Sequence, residues 1–283
     1  MGMLKYLISI LFGIVEGITE WLPISSTGHM ILLNQFISLE KLTSPQFYSM
    51  YEVVIQLGAI LAVVVIFWKQ IWPFRNDSKE TGYKRYVNMD IIDLWLKILL
   101  ACVPAAIIGI LFDDWIDAHL YNYWVVAIAL IVFGVGFIII ENKNKDLSPK
   151  IHSLKTLNGK TALLIGVFQV IAAVFPGTSR SGATILGGLM LGVSRTVAAE
   201  FTFFLAIPVM FGASLLKIAR FGLAFTSTEI MVLLVGCIVA FVTSMIVIKF
   251  LMGYIKKHDF KVFGWYRIVL GLIVLIYGIV ATL

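Results

Sequence analysis

Long apolar stretches alternate with short polar breaks along this chain. Six stretches come close to or exceed the roughly 20 residues that a membrane-crossing helix needs, at 51–68, 92–112, 122–140, 200–217, 229–251 and 264–282. Two more, 4–37 and 161–192, are each interrupted by a proline, hydroxyl residues and glycine. Because proline ends a helix and irregular backbone persists at membrane depth only inside protein, each predicts a re-entrant helix–loop–helix.

The composition is that of a membrane protein. Of the 283 residues, 60% are apolar and 13% are charged, whereas about a quarter of a soluble domain is charged. The net charge of +6 requires no nucleic acid, since basic residues of membrane proteins gather in cytoplasmic loops, and we expect no nucleic-acid partner. The sequence therefore predicts an all-α polytopic membrane protein with six transmembrane helices, two re-entrant segments and a single integral membrane domain over 1–283.

Loop charges predict the orientation in the bilayer. Lys and Arg collect in three loops, at 69–90, 141–160 and 253–262. The loop predicted at 113–121 instead carries no Lys or Arg and has three aspartates, Asp113, Asp114 and Asp117. By the positive-inside rule the basic loops lie in the cytoplasm and 113–121 lies outside, although Lys217 and Arg220 oppose this assignment. Both termini then lie outside, and the two re-entrant segments dip in from opposite sides.

The two interrupted stretches share a sequence pattern. A shift of 153 residues aligns Gly13 with Gly166, Glu16 with Gln169, Pro23 with Pro176, Ser25 with Thr178 and Ser26 with Ser179. Three predicted spans follow each stretch, so the chain reads as an inverted-topology repeat over about 1–150 and 151–283. Such repeats place their functional site near the membrane midplane, where broken helices meet.

Two acids dominate the first interruption. Glu16 and Glu20 are four residues apart, which puts both carboxylates on one face of a helix. Their repulsion is relieved by a shared proton or by a cation, and Mg²⁺ or Ca²⁺ takes carboxylate oxygens together with phosphate oxygens. Helix capping or solvation would also explain the pair, but ionisable groups at membrane depth mark a functional site by default.

Hydroxyl side chains and a histidine follow these acids. Helix capping accounts for at least one of Ser25, Ser26 and Thr27, and the others are candidates for a nucleophile or for phosphate ligands. A hydroxyl needs an adjacent base to attack, and His29 is the candidate acid–base group. The other histidines fall in predicted loops, at His119, His152 and His258.

The second interruption carries a candidate anion site. Arg180 lies between Ser179 and Ser181, with Thr184 one turn further on and glycines on both sides. Backbone N–H groups at a helix N-terminus and a guanidinium fork both suit phosphate. Arg180 would alternatively pair internally with Glu16 or Glu20. Facing each other, the two interruptions suit metal-assisted attack on a phosphoryl group.

Two motifs of the chain are similar to those of a known family. Residues 16–29, EGITEWLPISSTGH, and residues 176–184, PGTSRSGAT, resemble the signature motifs of the undecaprenyl-diphosphate phosphatase (BacA/UppP) bacitracin-resistance family, and the resemblance covers essentially the whole chain. It implies hydrolysis of undecaprenyl diphosphate to undecaprenyl phosphate and phosphate, which recycles the lipid carrier of peptidoglycan synthesis and confers bacitracin resistance. It also implies divalent-cation dependence and a bacterial inner-membrane protein whose site opens toward the outer face.

The resemblance also assigns roles to individual residues. It makes Glu16 and Glu20 the acidic residues of the site, Ser26 the nucleophile or a phosphate ligand, and His29 the motif histidine. It places Ser179, Arg180 and Thr184 at phosphate-binding positions, and we count their neighbours Ser25, Thr27 and Ser181 among the substrate-binding residues. Direct attack by Ser26 and attack by a water activated by His29 or a glutamate both stay open.

Other functions also fit parts of the sequence. A transporter or flippase for an anionic polyprenyl phosphate lipid would use the same inverted repeat, but it would not need the Ser–His–Glu set. A structural or drug-binding membrane protein would leave the paired acids unexplained. The sequence does not fix the oligomeric state, and a homodimer is allowed.

Overall fold

The computed structural model describes residues 2–76, 80, 82–222 and 224–282, and this part of the chain is helical without a β-strand. Lys79 of the loop 69–90 and the side chains of Asp113, Asp114 and Asp117 lie outside what the structure describes. The α-helices are α1 Gly2–Thr19, α2 Ser26–Phe36, α3 Pro45–Val54, α4 Gln56–Ile66, α5 Trp68–Ile71, α6 Met89–Leu120, α7 Tyr123–Lys143, α8 Gly159–Val174, α9 Arg180–Met190, α10 Arg195–Phe221, α11 Ser227–Tyr254 and α12 Lys261–Thr282.

Within the described ranges, six helical stretches are long and apolar enough to cross a membrane, as the sequence predicted. They run over Pro45–Ile66, Met89–Phe112, Tyr123–Lys143, Arg195–Phe221, Ser227–Tyr254 and Lys261–Val280. The first is α3 followed directly by α4, and it begins earlier than predicted because Ser44 caps it and Pro45 occupies the first helical position. Proline is well tolerated there, since its missing N–H would have no partner inside the helix.

The prediction of a loop at 113–121 is wrong. Helix α6 continues through these residues and ends at Leu120, so His119 lies in its last turn. No glycine or proline occurs between Phe112 and Tyr121. The end of the apolar run therefore marks where the helix becomes polar, and the backbone continues without a signal to stop.

Both interrupted stretches are broken helices with the same unusual cap. Ser25 caps α2 by accepting a bond from Gly28 N at 3.3 Å, and Ser179 caps α9 by accepting from Gly182 N at 3.1 Å. Their φ angles are 74° and 68°, values that residues other than glycine seldom adopt. The caps match at a shift of 154, so the predicted alignment of Ser26 with Ser179 is wrong by one residue, because the second loop is one residue longer after its proline.

Each broken segment is held against a helix of the other half of the chain. Helix α1 packs along α11, and α8 packs along α6, while α7 pairs with α12. A Cβ atom on Gly13 of α1 would lie 2.7 Å from Gly236 O, and one on Gly166 of α8 would overlap with Ala101 O. These glycines therefore allow backbone contact at both crossings. The crossings bring the loops after α1 and α8 into the interior of the molecule.

Candidate active site

The Glu20 carboxylate joins the two broken segments. It is 5% exposed, and its Oε1 accepts a bond from Arg180 Nη2 at 3.1 Å, while its Oε2 accepts from Ser26 Oγ at 2.8 Å. The backbone oxygen of Glu20 also accepts from Ser181 Oγ at 3.0 Å. One acid of the first motif therefore contacts both a hydroxyl of its own loop and two residues of the second motif.

Two helix N-termini converge on this carboxylate. Ser26 is the first residue of α2 and Arg180 is the first residue of α9, and both bond to Glu20. The N-terminus of a helix carries partial positive charge and N–H groups without a partner inside the helix. This point therefore favours an anion. In the structure the anion is the Glu20 carboxylate, and a phosphate group suits the same point.

Arg180 is fixed on two sides and keeps one donor without a partner. Its Nη1 donates to Thr202 O at 3.0 Å and its Nη2 donates to Glu20, whereas its buried Nε has no hydrogen-bond partner. The side chain is 12% exposed. The internal Arg–Glu pair that the sequence left as an alternative is thus present with Glu20.

Glu16 places a second carboxylate in the last turn of α1, one turn before Glu20, which directly follows the helix end and whose N–H donates to Glu16 O at 3.0 Å. Its side chain is 1% exposed, and its Oε1 has no hydrogen-bond partner. A buried carboxylate oxygen without a donor is unfavourable, so this atom suits a proton or a cation. Two carboxylates fit a hard ion such as Mg²⁺, which one or two carboxylates and the substrate's phosphates commonly hold together. Groups of three or more Asp, Glu, His or Cys suited to a metal are not found in the described ranges.

His29 bonds to partners other than Ser26. Its Nδ1 lies 2.7 Å from Ser25 O, its Nε2 lies 2.7 Å from the Tyr266 hydroxyl, and the rings of His29 and Tyr266 stack at 5.6 Å. A carbonyl oxygen only accepts, so Nδ1 donates, and in the neutral imidazole Nε2 accepts from Tyr266. The base that touches the Ser26 hydroxyl is therefore Glu20, and Tyr266 is a site neighbour that sequence reasoning missed.

Most of the other predicted hydroxyls bond within the protein. Ser25 and Ser179 are the two helix caps, and the Ser179 and Ser181 hydroxyls lie 3.2 Å apart. Thr184 donates to Arg180 O at 2.9 Å and accepts from Thr202 at 2.8 Å. Thr27 is half-buried in the first turn of α2. These hydroxyls shape the two loops and hold Arg180 in place.

Arg267 of α12 ties both loops together, and sequence reasoning did not single it out. It is fully buried. Its Nη1 donates to Pro23 O at 3.2 Å, and its Nη2 donates to Gly177 O at 3.0 Å and to Thr178 O at 2.7 Å. The signal was present, since an arginine inside the apolar stretch 264–282 is an ionisable group at membrane depth.

The fold and this site together define a class: a polytopic membrane protein in which two broken helices meet at a buried charged centre. Residues 9–273 match the family described as "Bacitracin resistance protein BacA". The chain belongs to this family, which confirms the resemblance seen in its two motifs.

Curated proteins similar to this chain carry consistent names. The chain is 60% identical to "Undecaprenyl-diphosphatase" of Desulfitobacterium hafniense, over 98% of this chain and 97% of that protein. It is 59% identical to "Undecaprenyl-diphosphatase 1" of Clostridium acetobutylicum, over 98% of each. It is also 59% identical to "Undecaprenyl-diphosphatase" of Enterococcus faecalis, over 94% of this chain and 95% of that protein.

Proposed function

We propose that the protein hydrolyses undecaprenyl diphosphate to undecaprenyl phosphate and inorganic phosphate. The observation that carries the proposal is the Glu20 centre, where Ser26 and Arg180 at two helix N-termini share one carboxylate. The names of the similar proteins supply the substrate. The product is the lipid carrier of peptidoglycan synthesis, and its regeneration accounts for a role in bacitracin resistance.

In the reaction, the bond between the terminal phosphorus and the bridging oxygen breaks, and undecaprenyl phosphate leaves with that oxygen. Arg180 would bind the terminal phosphate from its place beside Glu20, with its unpartnered Nε as a donor. Phosphoryl transfer depends on such positioning and on charge neutralisation. The N-termini of α2 and α9 would add positive potential at the same point.

Two nucleophiles fit the site. In the first route Ser26 Oγ attacks the phosphorus while Glu20, 2.8 Å away, takes its proton, and water then hydrolyses the phosphoserine. In the second route Glu20 or His29 takes a proton from a water that attacks directly, and Ser26 binds the phosphate. Acid quenching with substrate labelled in its terminal phosphate separates the routes. The first route predicts label on the wild-type protein and no label on a Ser26→Ala variant, whereas the second route predicts no label on either protein.

Glu16 and Glu20 would hold a divalent cation, Mg²⁺ or Ca²⁺, which when bound neutralises charge on the diphosphate. The unpartnered Glu16 oxygen supports this assignment. Protein purified in detergent should release phosphate from undecaprenyl diphosphate. EDTA should lower the rate by about 10²-fold or more, since a metal supplies several kcal/mol, and added Mg²⁺ or Ca²⁺ should restore it. An EDTA-resistant rate would contradict the metal assignment, and no release at all would contradict the phosphatase.

The same packing would also serve a transporter for an anionic polyprenyl phosphate lipid. In each half the broken segment packs on a helix of the other half, α1 on α11 and α8 on α6, which supports an inverted repeat of the kind that many transporters use. Hydrolysis of undecaprenyl diphosphate in detergent micelles separates the two functions, because a micelle has no two compartments between which a lipid could be transported. A protein that binds undecaprenyl phosphate and releases no phosphate would favour the transporter.

For the topology, we propose that α1–α2 and α8–α9 are re-entrant segments of an inverted repeat. The matching caps and the exchanged packing support it. The site would open toward the outer face of a bacterial inner membrane. In a variant lacking Cys102 and Cys237, single cysteines at Gln46 and Ser148, both exposed, should react with an impermeant maleimide from opposite sides. Labelling of both from one side would contradict the inverted repeat.

A further inference from the structure

A cavity that opens between helices begins at the candidate active site. This lateral cleft has a volume of about 510 Å³, within the range of roughly 300–1,000 Å³ that is usual for small-molecule pockets. It lies between α6, α8 and α10, and Arg180 at the start of α9 closes its inner end. Its walls are mostly small or aliphatic, including Ala105, Gly109, Ala172, Ala173, Gly212 and Leu216.

The inner end of the lateral cleft holds an unpartnered buried amide. Gln169 of α8 lines the cleft and is 2% exposed, yet neither its amide oxygen nor its amide nitrogen has a hydrogen-bond partner. Buried polar groups are almost always paired, so an exception asks for an explanation. Arg180, whose Nε is also buried and unpartnered, lines the same cleft. The polar end of the cleft therefore offers donors to a ligand atom.

The outer end of the lateral cleft is apolar and reaches the exposed surface of two candidate membrane-spanning helices. Ile110 and Leu216 line it and are 73% and 40% exposed, and both belong to long apolar helices, α6 and α10. A ligand that fills the whole cleft must therefore be anionic or polar at one end and hydrocarbon at the other. A lipid with a phosphate group at its head has this chemistry.

We propose that the lateral cleft binds the first isoprenoid units of a polyprenyl diphosphate, and that the Gln169 amide donates to the phosphate nearer the chain. This inference rests on the proposed function and adds the route by which the hydrocarbon leaves the site, between α6 and α10. The pattern of the two segments agrees, because Gln169 stands where the first segment has Glu16. A carboxylate there would repel a phosphate, whereas an amide nitrogen donates to it.

Two glycines allow the cleft to be filled without disturbing the fold. A Cβ atom added at Gly109 or Gly212 would meet no described atom within 4 Å, so a larger side chain at either position extends into the cleft. Gly253 is a matched control, since it lies in the long helix α11, is exposed and has the same open surroundings, and it does not line the cleft. All three substitutions replace a helical glycine.

Gly109→Phe and Gly212→Phe should each raise KM for undecaprenyl diphosphate by about tenfold, equivalent to about 1.4 kcal/mol of binding, with kcat within about threefold of wild type. Gly253→Phe should have the same KM as wild type. If a phenylalanine variant at Gly109 or Gly212 does not fold, the smaller change Gly109→Leu or Gly212→Leu takes its place. Hydrolysis of methyl diphosphate, which has no isoprenoid, should be equal in all variants. Unchanged KM in both cleft variants, or an equal rise in Gly253→Phe, would overturn the proposal.

The Gln169 assignment has its own pair of variants. Gln169→Leu should lower kcat/KM about tenfold, and Gln169→Glu should lower it further because its charge repels the phosphate. A Gln169→Glu variant as active as wild type would rule out the contact. If wild-type protein releases no phosphate, the phosphatase proposal fails by itself. The cleft is then tested by the binding of undecaprenyl phosphate, measured by tryptophan fluorescence, which Gly109→Phe should weaken and Gly253→Phe should not.

Discussion

Arg180→Ala is expected to lower kcat/KM for undecaprenyl diphosphate by about 10²–10³-fold, the usual loss when one preorganised donor to a developing charge is removed. Arg180 is held by Thr202 O and Glu20, so its guanidinium is already aimed at the point where α2 and α9 begin. Without it, the terminal phosphate loses its only arginine in the two motifs, and Glu20 loses the cation beside it. Phosphate release from detergent-purified protein is the measurement.

Three variants keep this result interpretable. Arg180→Lys retains the charge but not the planar fork, and it should recover only part of the rate. Arg180→Ala by itself leaves the Glu20 carboxylate buried without its cation. The double variant Arg180→Ala/Glu20→Gln removes that charge, so comparing the thermal unfolding of the two variants separates a loss of stability from a loss of chemistry. Lys155→Ala removes an exposed cation paired with Asp90 and should behave as wild type. An Arg180→Ala protein that stays within threefold of wild type would refute the assigned role.

Arg267→Met is expected to lower the free energy of unfolding by about 3–5 kcal/mol, because three buried backbone carbonyls would lose their donor. The guanidinium donates to Pro23 O, Gly177 O and Thr178 O. These carbonyls belong to both loops, and each buried acceptor that loses its donor costs about 1–3 kcal/mol. Because the same loops position Ser26 and Arg180, activity should fall together with stability.

Thermal unfolding in detergent, followed by tryptophan fluorescence, measures this effect. Arg267→Lys should lose less stability, because an ammonium keeps the charge but reaches fewer of the three carbonyls. Lys261→Met on the same helix is the control. Lys261 forms a salt bridge with Asp259 in which both side chains are partly exposed, and such salt bridges contribute about 0–1 kcal/mol to stability. Equal stability of Arg267→Met and Lys261→Met would show that the loops do not depend on Arg267.

The apolar pattern alone was enough to predict the helical class and all six candidate spans, because a bilayer requires every backbone group in a span to bond within its own helix. It also located both breaks, since proline, hydroxyl residues and glycine interrupt an apolar run. Its errors concern ends and offsets. Helix α6 continues to Leu120 although its apolar run stops earlier, and the caps Ser25 and Ser179 match one residue away from the predicted alignment.

The sequence by itself thus determined the family, the broken helices and the list of polar residues that they carry. Only the tertiary structure decided which of these residues touch: that Glu20 bonds to Ser26 and Arg180, that His29 bonds to Tyr266, and that Arg267 holds both loops. The physical reason is separation along the chain. Spacing within one helix fixes which side chains share a face, whereas partners 160 or 244 residues apart meet only where packed helices bring them together.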